Sequence, residues 1–77
     1  MPKKQSLSDG YLIKGVGKNI RKLRKKQGLS QEALAFHSRL DRSYIGLVER
    51  GKKNVSIVTL NRLSKPLDVK PYELLKV

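Results

Sequence analysis

The sequence predicts an all-α protein, a compact domain of five short helices. Three observations carry this expectation. Apolar residues recur every three or four positions in several separate stretches, the spacing that gathers them on one side of a helix. Those stretches are punctuated by Ser or Asp in front and by Gly or Pro behind. No run alternates apolar and polar residues for long enough to make a useful strand. A chain of 77 residues has room for one domain and buries a small share of its surface, which a helical bundle tolerates best.

The elements follow in order. Residues 1–12 read as a flexible basic N-terminal arm, polar and broken by Pro2 and Gly10, and residues 13–77 as the folded domain. Lys3 and Lys4 in the arm either touch an anionic partner or have no role. Val16, Ile20 and Leu23 set a first helix over about 14–27, blurred at its start by Gly15 and Gly17 and closed by Gly28. Ser30 caps a second helix that begins at Gln31, carries Glu32 near the positive end of its dipole, and ends near His37 or Ser38. Asp41 caps a third, residues 42–50, with Ile45 and Val48 inward, Tyr44 and Leu47 flanking them, and Gly51 behind. Ser56 caps a fourth carrying Ile57, Leu60 and Leu63. Pro66 lacks an amide and clashes with the preceding turn, so this helix is expected to end or kink near Ser64 or Lys65. Pro71 suits the first position of a last short helix reaching Leu75. The expected core is Val16, Ile20, Leu23, Leu29, Leu34, Ala35, Leu40, Ile45, Val48, Leu60, Leu63, Leu67 and Leu74.

Charge narrows the function. Lys and Arg number 18 against 6 Asp and Glu, for a net charge of +12. An excess that large opposes compactness and calls for a polyanion: nucleic acid, an anionic membrane or an acidic protein. Apolar runs such as Tyr11-Leu12-Ile13 are far too short to span a bilayer. The basic first helix has the charge of a membrane-surface helix, yet its apolar stripe is narrow and the core needs it. A platform for single-stranded RNA relies on stacking aromatics, and only Tyr11, Phe36, Tyr44 and Tyr72 are present. With no cysteine there is no disulfide or thiolate metal site. His37, the only histidine, reads as a surface or boundary residue, and the carboxylates are scattered. No enzyme, metal, cofactor or small-molecule ligand is therefore expected, and a cytoplasmic location is.

Two short helices joined by Ser38-Arg39-Leu40 stand out. Ala35 is small where two helices crossing steeply after a tight link must approach. Ile45 and Val48 anchor the second helix, leaving Asp41, Arg42, Ser43 and Gly46 pointing outward. This is the geometry of a helix-turn-helix, whose second helix enters the major groove.

The run Gly28-Leu29-Ser30-Gln31-Glu32-Ala33-Leu34-Ala35, followed by Tyr44-Ile45-Gly46-Leu47-Val48-Glu49-Arg50-Gly51, resembles the Cro and phage-repressor (XRE) type of helix-turn-helix. The Ile-Arg-x-Leu-Arg string at Ile20 to Arg24 extends the likeness to about residues 13–76. The string from Ser38 to Ile45 also resembles, more weakly, the controller proteins of restriction-modification systems. The resemblance implies a repressor-like fold and a sequence-specific regulator of transcription that binds double-stranded DNA. Arg42 and Ser43 would contact bases; Gln31, Tyr44, Arg50, Lys52, Lys53 and Asn54 would contact phosphates. Tyr44 fits the core equally well, Lys52 and Lys53 fit a solvated loop, and Asp41 suits a helix cap better than a base reader. Arg24 would pair internally with Glu49. Two positions depart from the pattern: Arg39 stands where the turn often has Gly, and Pro66 where the fourth helix normally continues.

Such proteins usually dimerise on a palindrome through their C-terminal helices. Val58, Tyr72, Leu75 and Val77 are candidates for that homodimer patch, or simply cover the edge of the core. The alternative function is an antitoxin-type regulator that binds a protein as well as DNA, for which the short arm offers little to grip a partner.

Overall fold

Each α-helix begins where a side chain replaces a missing backbone partner. In the computed structural model, which describes residues 8–77, α1 spans Asp9–Lys26, α2 Gln31–Ser38, α3 Arg42–Glu49 and α4 Ile57–Leu67, and a 3-10 helix follows at Pro71–Leu75. The Ser8, Ser30 and Ser56 hydroxyls accept from the amides of Tyr11 (3.1 Å), Ala33 (3.0 Å) and Thr59 (3.0 Å), and Asp41 accepts from the Ser43 amide at 2.9 Å. These bonds satisfy first-turn donors that have no intrahelical acceptor.

The ends are set by left-handed residues. Gly28 and Gly51 have φ of 71° and 73°, where glycine carries no steric cost. Arg39 and Asp68 both take φ of 60°. Behind Arg39 the Leu40 amide reaches back to the Ala35 carbonyl at 2.9 Å; behind Asp68 the Val69 amide reaches Ser64 at 3.1 Å. This doubled-back bonding closes a helix C-terminus firmly enough to hold a non-glycine residue there, at about 1–2 kcal/mol of strain.

The first two helices rest on α3 and α4, and the 3-10 helix closes against α1 and α4. Ile20, Leu34, Ile45, Leu63, Leu67 and Leu74 are wholly buried, with Val16, Ala35, Val48 and Leu60 beside them. Leu23, Leu29 and Leu40, expected inside, are only partly buried and pack at the rim. Ser38 and Ser64 are buried but return their hydroxyls to the carbonyls of Leu34 (2.6 Å) and Asn61 (2.8 Å).

The boundaries differ from expectation in two places. Helix α1 begins at Asp9 rather than near residue 14, so residues 9–12, expected in the arm, are helical. The Ser8 cap and Asp9 in the first turn favour this start. Lys3 and Lys4 lie outside the described residues. Helix α4 does not stop at Ser64 or Lys65 but runs through Pro66 to Leu67. Pro66 falls in the last turn, where its missing amide forfeits one bond, and full burial of Leu67 holds that turn closed. Ile57, expected to share the apolar side of α4, is 82% exposed, because Leu60, Leu63, Ser64 and Leu67 take the inward stripe.

Gly17 marks a close approach of helices. A β-carbon there would collide with the Val48 carbonyl oxygen and come within 3.1 Å of the Glu49 carbonyl. A β-carbon at Gly10, on the same helix, would meet nothing within 4 Å. Gly-to-Ala inside a helix ordinarily stabilises by about 1 kcal/mol. Gly17→Ala is expected to reverse that sign and lower stability by about 1–3 kcal/mol, while Gly10→Ala leaves it unchanged or raised. Thermal melts of the two variants check this.

Candidate nucleic-acid interface

Helices α2 and α3 meet across Arg39, Leu40 and Asp41 with Ala35 only 4% exposed at their contact. A larger side chain there has no room. The angle between the helices is then fixed by burial of Leu34 on one and of Ile45 and Val48 on the other.

A buried polar hub locks this unit onto α1. Arg24 Nε donates to Glu49 Oε2 at 2.6 Å and Arg24 Nη2 to Glu49 Oε1 at 3.0 Å, a two-pronged pair with side chains 10% and 3% exposed. Arg24 Nη1 donates to the Leu29 carbonyl at 2.9 Å. Hydrogen bonding to Glu49 holds the Arg24 guanidinium above its ordinary pKa, against the opposing effect of burial. Gln31 Nε2 adds a bond to Glu49 Oε1 at 3.1 Å. One carboxylate at the end of α3 thus gathers α1, the α1–α2 loop and the start of α2. Gln31 was expected to offer its side chain to a phosphate; in the free protein that side chain serves the hub.

The first turn of α3 faces solvent. Asp41, Arg42 and Ser43 are all exposed. Asp41 accepts from both the amide and the hydroxyl of Ser43, and these bonds keep its carboxyl below the ordinary carboxylate range. Asp41 is therefore the cap, and the Ser43 hydroxyl also donates to it. With that bond made, the Ser43 oxygen still has lone pairs to accept with. Arg42 Nε lies 3.8 Å from Glu32 Oε2, with both side chains more than half exposed. A pair of that kind is worth under about 1 kcal/mol and releases its arginine easily.

Gly46 departs from the expected outward position: it is buried. The Arg50 side chain folds back over it, so that a β-carbon on Gly46 would lie 3.3 Å from Arg50 Nη1. Tyr44 is half-buried and packs against the core. Arg50, Lys52, Lys53 and Asn54 are exposed around Gly51, forming a cationic rim at the end of α3.

The apolar candidates are also exposed: Val58 63%, Tyr72 58%, Leu75 46% and Val77 47%. Leu75 lines a cleft of about 100 Å³ with Leu12, Val16, Val55 and Leu60, while Val77 lies against Gly15 of α1. Sequence reasoning missed Leu12, which lines that cleft with Leu75, and Tyr11, which shares a groove with Val77. It also missed Asn19, whose side-chain amide donates to the carbonyls of Leu74 (3.0 Å) and Lys76 (2.9 Å). An asparagine in mid-helix was the available signal, since that residue favours bonds to backbone outside a helical ladder.

A recognition helix with an exposed first turn, capped, locked from behind and rimmed by cations defines a DNA-binding helix-turn-helix regulator. Comparison with known proteins agrees: residues 20–74 match the family described as helix-turn-helix, and the chain belongs to that family. The control protein C.BamHI of Bacillus amyloliquefaciens is 45% identical over 60 residues, which cover 77% of this chain and 74% of that protein. The control protein C.MunI of a Mycoplasma species is 46% identical over 59 residues, covering 75% and 80%. The crystal structure of the restriction-modification controller protein C.AhdI from Aeromonas hydrophila superposes with a TM-score of 0.76 at 56% identity, covering 82% of this chain and 94% of its own. Among the described residues, no helix is long and apolar enough to cross a membrane.

Removing one partner of a buried ion pair strands the other and costs about 3–5 kcal/mol. Glu49→Ala is therefore expected to lower the melting temperature by more than 10 °C, at about 4–8 °C per kcal/mol for a domain of this size. Calorimetry without DNA reads this directly; an unchanged melting temperature contradicts the role given to the pair.

Proposed function

We propose that the chain is a sequence-specific regulator that inserts α3 into the major groove of duplex DNA, binding as a dimer to a palindromic operator. The observation that carries this is the exposed Arg42–Ser43 pair at the start of a helix whose other end is fixed by Glu49. Arg42 offers two parallel donors that match guanine O6 and N7, worth about 1–3 kcal/mol of discrimination. Ser43, its hydroxyl donating to Asp41, offers an acceptor to an exocyclic amino group of adenine or cytosine. The N-terminus of α2, with Gln31, suits one phosphate; Arg50, Lys52, Lys53 and Asn54 suit others, and the Tyr44 hydroxyl suits one from its half-buried ring.

A single short recognition helix covers few base pairs, which favours two copies on half-sites one helical turn apart, about 10 bp. The exposed Val58, Tyr72, Leu75 and Val77 are the surface assigned to that contact. Similarity to the control proteins C.BamHI and C.MunI and to the restriction-modification controller protein C.AhdI supports a controller role of the same kind for this chain.

Selection of bound sites from random duplex DNA tests the proposal. A two-fold symmetric site should emerge, and affinity for it should fall steeply with salt. Arg42→Ala should relax preference at one base position in each half-site. Lys52→Ala should weaken every sequence alike and reduce the slope of log affinity against log salt by about 0.9 for each protomer, about 1.8 for the bound dimer. No enriched site, or a flat salt response, contradicts the function; an unchanged site for Arg42→Ala contradicts the assignment of the base reader.

A further inference from the structure

The basic residues in the first turns of α1 lie outside the region that the family match covers, residues 20–74. Their placement is specific. The chain passes under Lys14 at Gly51, the left-handed residue that ends the recognition unit: a β-carbon at Gly51 would lie 2.7 Å from Lys14 Cγ and 3.1 Å from its Cα. The methylene stem of Lys14 is thus seated on the backbone between Arg50 and Lys52, while the residue as a whole stays exposed. A stem held on the protein surface leaves the ammonium in water, where an anion can reach it.

On its other side Lys14 lines a surface groove with Tyr11, Lys18 and Lys76, and no Asp or Glu side chain lines it. Lys14 and Lys18 are one helical turn apart, so their ammonium groups share a face of α1. The groove therefore continues the cationic rim of Arg50, Lys52 and Lys53 along α1. Nothing in the core needs these lysines; burial on α1 falls to Val16, Gly17, Ile20 and Arg24.

We infer that Lys14 and Lys18 form a second phosphate-contacting edge, which carries the DNA footprint beyond the phosphates reached by the loop after α3. The ligand is the sugar–phosphate backbone of duplex DNA, chosen for charge complementarity and for continuity with the rim around Gly51. The edge sets affinity and salt dependence and leaves base preference to α3. This rests on the DNA-binding reading given above.

The test compares two charge-matched double variants on the duplex recovered by selection. One carries Lys14→Gln and Lys18→Gln. The other carries Lys22→Gln and Lys26→Gln, residues on the side of α1 that faces Val69 and Glu73. The first should lower the slope of log affinity against log salt by about 0.9 for each phosphate that is no longer neutralised, with the selected sequence unchanged. It should also erase one or more phosphates from the ethylation-interference pattern. The second should leave slope and pattern as they are. Equal reductions in the two variants, or no reduction in the first while the unmodified protein binds with its full salt dependence, overturn the inference and spare the DNA reading. Absence of salt-dependent binding by the unmodified protein overturns both. Melting curves of each variant confirm that the fold is retained, as the exposure of all four lysines leads one to expect.

Discussion

Reading DNA with one short helix requires that the helix be held at both ends, and in this chain the far end depends on the bond between Arg24 and Glu49. Helix α3 is eight residues long, too short to be stable alone in water. Apolar burial of Ile45 and Val48 presses it onto its neighbours, but apolar contact is not directional and tolerates small rotations. The forked guanidinium adds direction. It fixes the end of α3 to the last turn of α1, ties in the Leu29 carbonyl, and leaves a carboxylate oxygen for Gln31. Because the carboxylate is almost fully buried, it cannot relax into water when its partner is removed.

The same constraint explains the glycine at position 17. Bringing Arg24 within reach of Glu49 draws the two helices close enough that Gly17 touches the Val48 and Glu49 carbonyls. A residue that weakens an isolated helix strengthens this assembly. Glycine costs about 1 kcal/mol of propensity, and that cost is offset by contacts that a side chain would forbid.

Much of this was legible in the sequence because it rests on local rules. Caps at Ser30, Asp41 and Ser56 and the left-handed ends at Gly28 and Gly51 follow from what those residue types can do with neighbouring backbone. The stripe Val16, Ile20, Leu34, Ile45, Val48 and Leu63 follows from helical spacing. What local rules could not give was long-range. Gly17 looked like a weak point because its partner is far along the chain. Pro66 looked like a terminator because burial of Leu67 is invisible to propensity. Gly46 looked outward because only folding lays Arg50 across it. At the site, the Asp41 cap could be read from one residue and its neighbours, whereas the Gln31–Glu49 bond joins two helices and could not.

The exposure of Arg42 has a consequence for divergence among proteins of this kind. Among the described residues its guanidinium pairs with the still more exposed Glu32, so the fold does not depend on which side chain stands at position 42. The residues that hold α3 in place and those that face outward from it are different sets. On the proposed reading of Arg42 as a base contact, a gene duplicate changes its preferred target through one codon without first losing stability. Two such regulators in one cell can drift to separate target sets while keeping the same buried framework.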